Sequence, residues 1–529
     1  AVLDSGLVQE DLFLKELAQR LHLPWEPEPL PNADRKRELI HLVSSRVALR
    51  HWVLPLDVDE TEEGTVALAC YDPLDWMARE MIGRELDRPL RWVISPRAKL
   101  REGLEAFFGI GADTFDEILQ ERGAIEEEID DETTVLDEED TEASVIRFVN
   151  EILRDALKQR ATDIHVEPLS DQLRIRYRID GVLQEAMVPE QIKSLQASVI
   201  ARIKVMARLD IAEKRLPQDG RISLELDGRP IDVRVATVPS VEGESVSLRL
   251  LGQETFHLDR LGMFPKSRSI VERLLAQPNG IVLVTGPTGS GKSTTLYSFL
   301  NELNDGSQRI VTIEDPVENK LPGVVQIAVK PEIELTFAAG LRSVLRADPN
   351  VIMVGEIRDL ETAEIAIRSA LTGHLVFSTL HTNDALGGIT RLIDMGVEPF
   401  LVGASVRAFL AQRLVRRLCE HCKEARPASE VDLAGFVLPT DRTELLTVKP
   451  GGCRQCRGTG FRGRLAIYEM VRMTADMQSL VAGGFTSRQL RGQATEDGFE
   501  TLRSYGWQKV LDGETTVEEV VGATALESL

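Results

Sequence analysis

The chain has 529 residues, of which 43% are hydrophobic and 28% charged, with a formal charge of −23. This length exceeds what one hydrophobic core supports, since such cores stop growing at roughly 250–300 residues, and the charge argues against a sequence-independent nucleic-acid binder, which needs many Lys and Arg to neutralise phosphates. Apolar runs such as Ile281 to Val284 and Val351 to Val354 are strand-sized, far short of the roughly 20 residues of a membrane-spanning helix.

Residues 1–112 mix helix-like segments, such as Leu12 to Leu21, with a strand-like Val66-Ala-Leu-Ala-Cys70 followed by Tyr71-Asp72-Pro73. The opening Ala1-Val-Leu-Asp-Ser-Gly-Leu7 shows no basic region followed by an apolar core, so no secretory signal is expected in the residues given, and a cytoplasmic location is. This α+β domain holds no reactive constellation, and partner binding is its expected role. Cys70 reads as a small buried apolar side chain. Residues 113–142 read as a flexible linker: eleven of the twenty residues from Glu121 to Asp140 are acidic, with no apolar period.

Residues 143–254 begin with a helix, Val145 to Leu157, and continue as strands with strict alternation. In Leu173-Arg-Ile-Arg-Tyr-Arg-Ile179 one face is apolar and the other basic, and the same pattern places Arg234 and Arg249 on the polar face. Asp180-Gly181 and Asp227-Gly228 supply hairpin turns.

From residue 255 to 415 short apolar runs alternate with helical segments, the pattern of a parallel sheet covered by helices. Gly286-Pro287-Thr288-Gly289-Ser290-Gly291-Lys292-Ser293, with Thr294 beyond it, matches the P-loop pattern and lies between an apolar strand and a helix. Its backbone N–H groups are expected to cradle phosphates, Lys292 to reach the β and γ phosphates, and Ser293 to ligate the Mg²⁺ that accompanies ATP. Two further strands end in acids, Glu314 and Glu356, and a third delivers His381 with His374 before it. Either acid suits activation of the attacking water, and either histidine suits sensing of the terminal phosphate. The aspartate that usually closes the Walker B strand is replaced by Gly355. No Asn-Lys-x-Asp guanine reader occurs, so ATP is the expected nucleotide.

Within residues 416–465, Cys419, Cys422, Cys453 and Cys456 form two C-x-x-C pairs. Four thiolates suit a closed tetrahedral Zn²⁺ site of structural type, in preference to a redox-active dithiol. Residues 466–529 form a C-terminal helical region.

Thr312-Ile-Glu-Asp-Pro-Val-Glu318 resembles the Asp box of the secretion superfamily ATPases, Val351 to Asp359 their atypical Walker B, and Gly373 to Asp384 their His box. Ala161 to Pro168, Arg178 to Gly181 and Arg215 to Arg221 resemble motifs of the domain that precedes the core in that family. The resemblance, roughly Ala143 to Glu469, implies an α/β fold: a RecA-like P-loop core, a preceding PAS-like α+β domain and a small zinc element. It also implies that Arg234 and Arg249, with Arg342 and Arg346 of the core, reach the phosphates, and that the chain forms a homo-oligomeric ring, a hexamer. The tetracysteine element is found in secretion and pilus-assembly members and generally missing from retraction members. The single short N-terminal domain, with Trp52 to Leu56 and Cys70 to Pro73, resembles that of the type II secretion ATPases. The implied partners are inner-membrane platform proteins, including the cytoplasmic domain of a bitopic protein met by the N-terminal domain, with no direct nucleic acid. A pilus-extension ATPase is the alternative, and a nucleic-acid motor is a more distant one.

Overall fold

The computed structural model describes residues 9–32, 35, 38–39, 42–43, 48, 51–59, 64–86, 88–109, 138–226, 229–251, 256–429, 436 and 443–525. The expected linker up to residue 137 and the Asp227-Gly228 turn lie outside them. The chain divides into two compact units, Ala1–Gly252 and Gln253–Leu529.

In the first unit β2 (Val66–Cys70) pairs antiparallel with β1 (Val53–Val58) and parallel with β3 (Leu90–Ile94). Every residue of β2 is buried, as befits a central strand covered on both faces. Burial pushes the Cys70 thiol up to about 12, which keeps it neutral and apolar in character.

The same unit holds a six-stranded antiparallel sheet in the order β6-β5-β4-β9-β8-β7. Its strands are β4 (Ala161–Pro168), β5 (Leu173–Ile179), β6 (Val182–Glu185), β7 (Gln218–Leu226), β8 (Arg229–Ser240) and β9 (Gly243–Leu251). The helix that precedes it runs over Glu138–Lys158, earlier than the apolar period from Val145 indicates, because periodicity marks only the stretch that packs: Val145, Phe148, Val149, Ile152 and Leu153 are buried. Leu173, Ile175 and Tyr177 of β5 face the core, as the alternation predicts. On the polar face cross-strand register aligns Arg178, Asp163, Arg249, Arg234 and Arg221 in one rung across five strands.

A buried ion pair anchors this domain. Lys204, on the helix Gln196–Met206, donates from Nζ to Glu244 Oε1 at 2.8 Å and to the Glu213 carbonyl at 2.7 Å, with the two side chains 1% and 5% exposed. Removing one partner leaves an uncompensated buried charge, so Lys204→Ala is expected to cost about 3–5 kcal/mol. Denaturant melts of the full chain check this, and a loss below about 1 kcal/mol contradicts it.

The second unit is built on a seven-stranded sheet in the order β12-β11-β13-β14-β10-β15-β18. Its strands are β10 (Gly280–Thr285), β11 (Ile310–Glu314), β12 (Val325–Ala328), β13 (Val351–Val354), β14 (Leu375–Leu380), β15 (Val406–Leu418) and β18 (Phe461–Arg472). All neighbours run parallel except β18, which is antiparallel to β15. β10, β11, β13 and β14 are buried throughout, which explains why they read as unbroken apolar runs. Between β15 and β18 the chain makes a small hairpin, β16 (Glu424–Pro427) with β17 (Glu444–Thr447).

Candidate active site and metal centre

In a parallel sheet the carboxyl ends of the strands are where ligands bind, and β10 delivers the P-loop there. The loop passes into the helix Lys292–Leu303 through Gly291, whose φ of 86° is left-handed. Lys292 Nζ lies back over the loop, donating to the carbonyls of Gly286 at 2.8 Å and Pro287 at 3.0 Å. Burial draws the Lys292 pKa down, and the negative charge of Glu356 opposes that shift.

Glu356 follows β13 and is held from two sides. His381 Nε2 lies 2.9 Å from Glu356 Oε2, and Arg358 forms an ion pair with the other oxygen. Burial alone raises a carboxyl pKa, but the bonds from Arg358 and His381 outweigh it and hold Glu356 below the usual carboxylate range. The carboxylate is 14% exposed and the histidine 51%, so the pair opens to solvent.

Glu314, at the end of β11, is differently placed. It is buried and accepts from Tyr297 OH, from Thr312 Oγ1 at 2.5 Å and from Gln326 Nε2 at 3.0 Å. Those bonds tie the helix after the P-loop to β11 and β12. Its neighbour Gly355 occupies the Walker B aspartate position because space is short: a Cβ there meets the Ile313 carbonyl at 3.3 Å and Glu314 Cα at 3.4 Å.

The two histidines of this region stand apart. His374 precedes β14 and His381 follows it, so the strand carries them to opposite edges of the sheet, about 23 Å apart at roughly 3.3 Å per residue. His374 Nδ1 lies 2.8 Å from the Ser369 carbonyl, and its own carbonyl accepts from Gly280 N at 3.1 Å. It therefore stands at the amino edge, away from the P-loop of its own subunit. Arg342 pairs with Glu361, and Arg346 Nη1 donates to the Arg342 carbonyl at 3.0 Å. In the first unit Arg249 pairs with Asp163 at 2.9 Å and stands opposite Arg234.

Two side chains of this region were missed by motif reading. Gln412 on β15 is buried against the P-loop. Glu469 on β18, also buried, accepts from Ala385 N at 2.8 Å and Leu502 N at 3.2 Å, joining the segment after His381 to the C-terminal helices. The sequence signal was weak, because each strand also carries several arginines, Arg407, Arg413, Arg416 and Arg417 on β15 and Arg462, Arg464 and Arg472 on β18.

The four cysteines converge where β15 ends and β18 begins. Their Sγ atoms all lie within 4.8 Å of one another, with separations of 3.8 Å for Cys419–Cys453 and 3.7 Å for both Cys422–Cys456 and Cys453–Cys456. A tetrahedral ion with Zn–S bonds of about 2.3 Å requires sulfur–sulfur edges of about 3.8 Å, so the set fits such an ion; a disulfide needs about 2.05 Å. Cys456 Sγ also accepts from the N–H groups of Cys453 at 3.1 Å and Gly460 at 3.2 Å, which orients a thiolate.

Residues 138–522 match the family described as type II/IV secretion system protein. The chain belongs to that family. Membership makes it an ATPase whose nucleotide is accompanied by Mg²⁺. Residues 21–114 match the MshEN domain. The type II secretion system protein E of Pseudomonas aeruginosa is 50% identical over 399 residues, covering 75% of this chain and 78% of that protein. The type II secretion system ATPase E of Vibrio cholerae is 46% identical, covering 78% and 81%. The type IV pilus assembly ATPase PilB of Myxococcus xanthus is 42% identical over 99% of this chain and 93% of its own length. Among solved structures, the ATPase DotB of Legionella pneumophila shares the fold, with a TM-score of 0.54 at 20% identity over 72% of this chain and 95% of that one. No helix of the described residues is long and apolar enough to cross a membrane.

Proposed function

We propose that this chain is the cytoplasmic ATP-hydrolysing motor of a type II secretion system, working as a hexameric ring held at the inner membrane by its partners. Hydrolysis is supported above all by one observation, the Glu356–His381 pair at the same sheet edge as Lys292. Glu356 orients the attacking water and accepts its proton, Lys292 and the P-loop N–H groups hold the phosphates, and Ser293 holds Mg²⁺. Glu314, committed to three hydrogen bonds, positions the helix and strands around this chemistry. Arg234 and Arg249 of the first unit, and Arg342 and Arg346 of the second, are the arginines that meet phosphate charge in the ring. Cys419, Cys422, Cys453 and Cys456 hold a structural Zn²⁺, and residues 1–112 bind the cytoplasmic domain of a bitopic inner-membrane protein.

The choice of secretion rests on the 50% identity to a type II secretion system protein E. One observation favours pilus assembly as a second reading: the relative that aligns over 99% of the chain, N-terminal region included, is a pilus-assembly ATPase. Deleting the gene in its own organism separates the two. Loss of secreted enzymes with surface pili retained supports the first reading, and loss of pili with secretion retained supports the second.

A pH prediction follows from the base. Because Glu356 has a lowered pKa, it is ionised, and competent, from below the ordinary carboxylate range upward. His381→Ala removes one of the contacts that lower it, so the acid limb of the pH–rate profile is expected to move to higher pH. An unmoved limb, or one moved to lower pH, contradicts the pairing.

A further inference from the structure

We infer that Gln412 is a positioning residue for nucleotide binding, clamping the phosphate-binding loop from the neighbouring strand. β15 lies beside β10 in register, with Thr285 opposite Ala411, so Gln412 stands next to the point where the loop leaves the sheet. Its side chain is buried, at 1% exposure. The amide makes two bonds to different parts of the cradle: Nε2 donates to the Ser290 carbonyl at 2.6 Å, and Oε1 accepts from Thr295 Oγ1 at 2.8 Å. One side chain thus ties the loop to the first turn of the helix behind it.

The bond to Ser290 has a directional consequence. In a planar trans peptide the C=O and the following N–H point in opposite directions. Holding the Ser290 carbonyl toward Gln412 therefore aims the Gly291 N–H away from it, on the loop side where phosphate oxygens are received. Two loop glycines record how closely β15 approaches. A Cβ on Gly286 meets the Gln412 carbonyl at 2.7 Å, and one on Gly291 meets Gln412 Nε2 at 3.1 Å. Both also have positive φ, 148° and 86°, so close approach and backbone conformation together restrict these positions to glycine. The next residue extends the arrangement to the other side of the site, since Arg413 Nη2 donates to the Asn383 carbonyl at 2.7 Å, just after His381.

The inference rests on the ATPase reading, and its test separates the two. Steady-state hydrolysis and binding of a fluorescent ATP analogue are measured on the full chain and on Gln412→Leu, Gln412→Glu and Thr295→Val. Losing the clamp leaves the buried Ser290 carbonyl without its side-chain donor and takes one partner from Thr295, so KM for ATP and the analogue's Kd are expected to rise about tenfold in Gln412→Leu, with kcat within about threefold. Gln412→Glu keeps the acceptor but sets a carboxylate oxygen against the Ser290 carbonyl, and the rise is expected to be at least as large. A lowered melting temperature with KM and Kd unchanged assigns Gln412 to stability alone and overturns the inference. If the Gln412 variants do not fold, Thr295→Val decides: a rise of about threefold supports the clamp, and no change overturns it. An unsubstituted chain that binds the analogue but does not hydrolyse ATP refutes the proposed function, while the Kd comparison still tests the clamp.

Discussion

Replacing Glu356 by glutamine is expected to lower kcat for ATP by roughly 10²–10⁴-fold, the range for loss of a positioned general base. The amide is nearly isosteric and can still meet His381, so the fold and nucleotide binding are expected to survive. Glu314→Gln is the informative comparison. Glu314 accepts from Tyr297, Thr312 and Gln326, and an amide returns only one acceptor oxygen for the same three donors. That variant should lose stability, with a fall in kcat no steeper than its fall in folded fraction. Single-turnover hydrolysis and nucleotide binding on both variants check the assignment. A larger chemical defect in the folded Glu314 variant than in the Glu356 variant reverses the roles.

The second large effect belongs to the cysteines. The cluster they form is packed from the cysteines themselves, with Cys419, Cys422 and Cys456 buried and Cys453 against them, so these turns draw on little other apolar burial. Free energies of metal binding by such sites are on the order of 10 kcal/mol at neutral pH and act directly as folding free energy. Stripping the metal, or changing Cys419 and Cys422 to serine, is therefore expected to open the turns between Leu418 and Phe461, which are paired at the strand ends. The readouts are zinc content near one ion per chain, lost on substitution, and new protease cleavage confined to that region. Full protease resistance after complete metal removal contradicts a structural ion. The P-loop core should stay folded, because it has an extensive apolar core of its own, running from Phe256 to Tyr505.

What could be read in advance was whatever is local in sequence. The P-loop, the acids ending β11 and β13, and the paired cysteines each occupy a few adjacent residues whose spacing is itself the chemistry. The groups that hold them could not be read this way, because Gln412 meets Ser290 across 122 positions and Glu469 meets Ala385 across 84. Glu314 and Glu356 are alike as strand-ending acids; burial under Tyr297 and exposure beside His381 tell them apart, and both depend on strand order. A buried strand of six residues separates His374 from His381, and the rise of a strand already places the two histidines at opposite edges. In the first unit the arginine alternation was legible, but the rung linking Arg178, Asp163, Arg249, Arg234 and Arg221 needed the register of five strands.

In the proposed function this ATPase drives a type II secretion machine through a partner bound by its N-terminal domain. The most direct test is ATP hydrolysis by the full chain with and without the cytoplasmic domain of the bitopic inner-membrane secretion protein from the same organism, repeated on a chain lacking residues 1–112. Binding and a stimulated rate that both vanish with the truncation are expected. No binding by the full chain, with stimulation instead by the pilus-assembly platform, contradicts it.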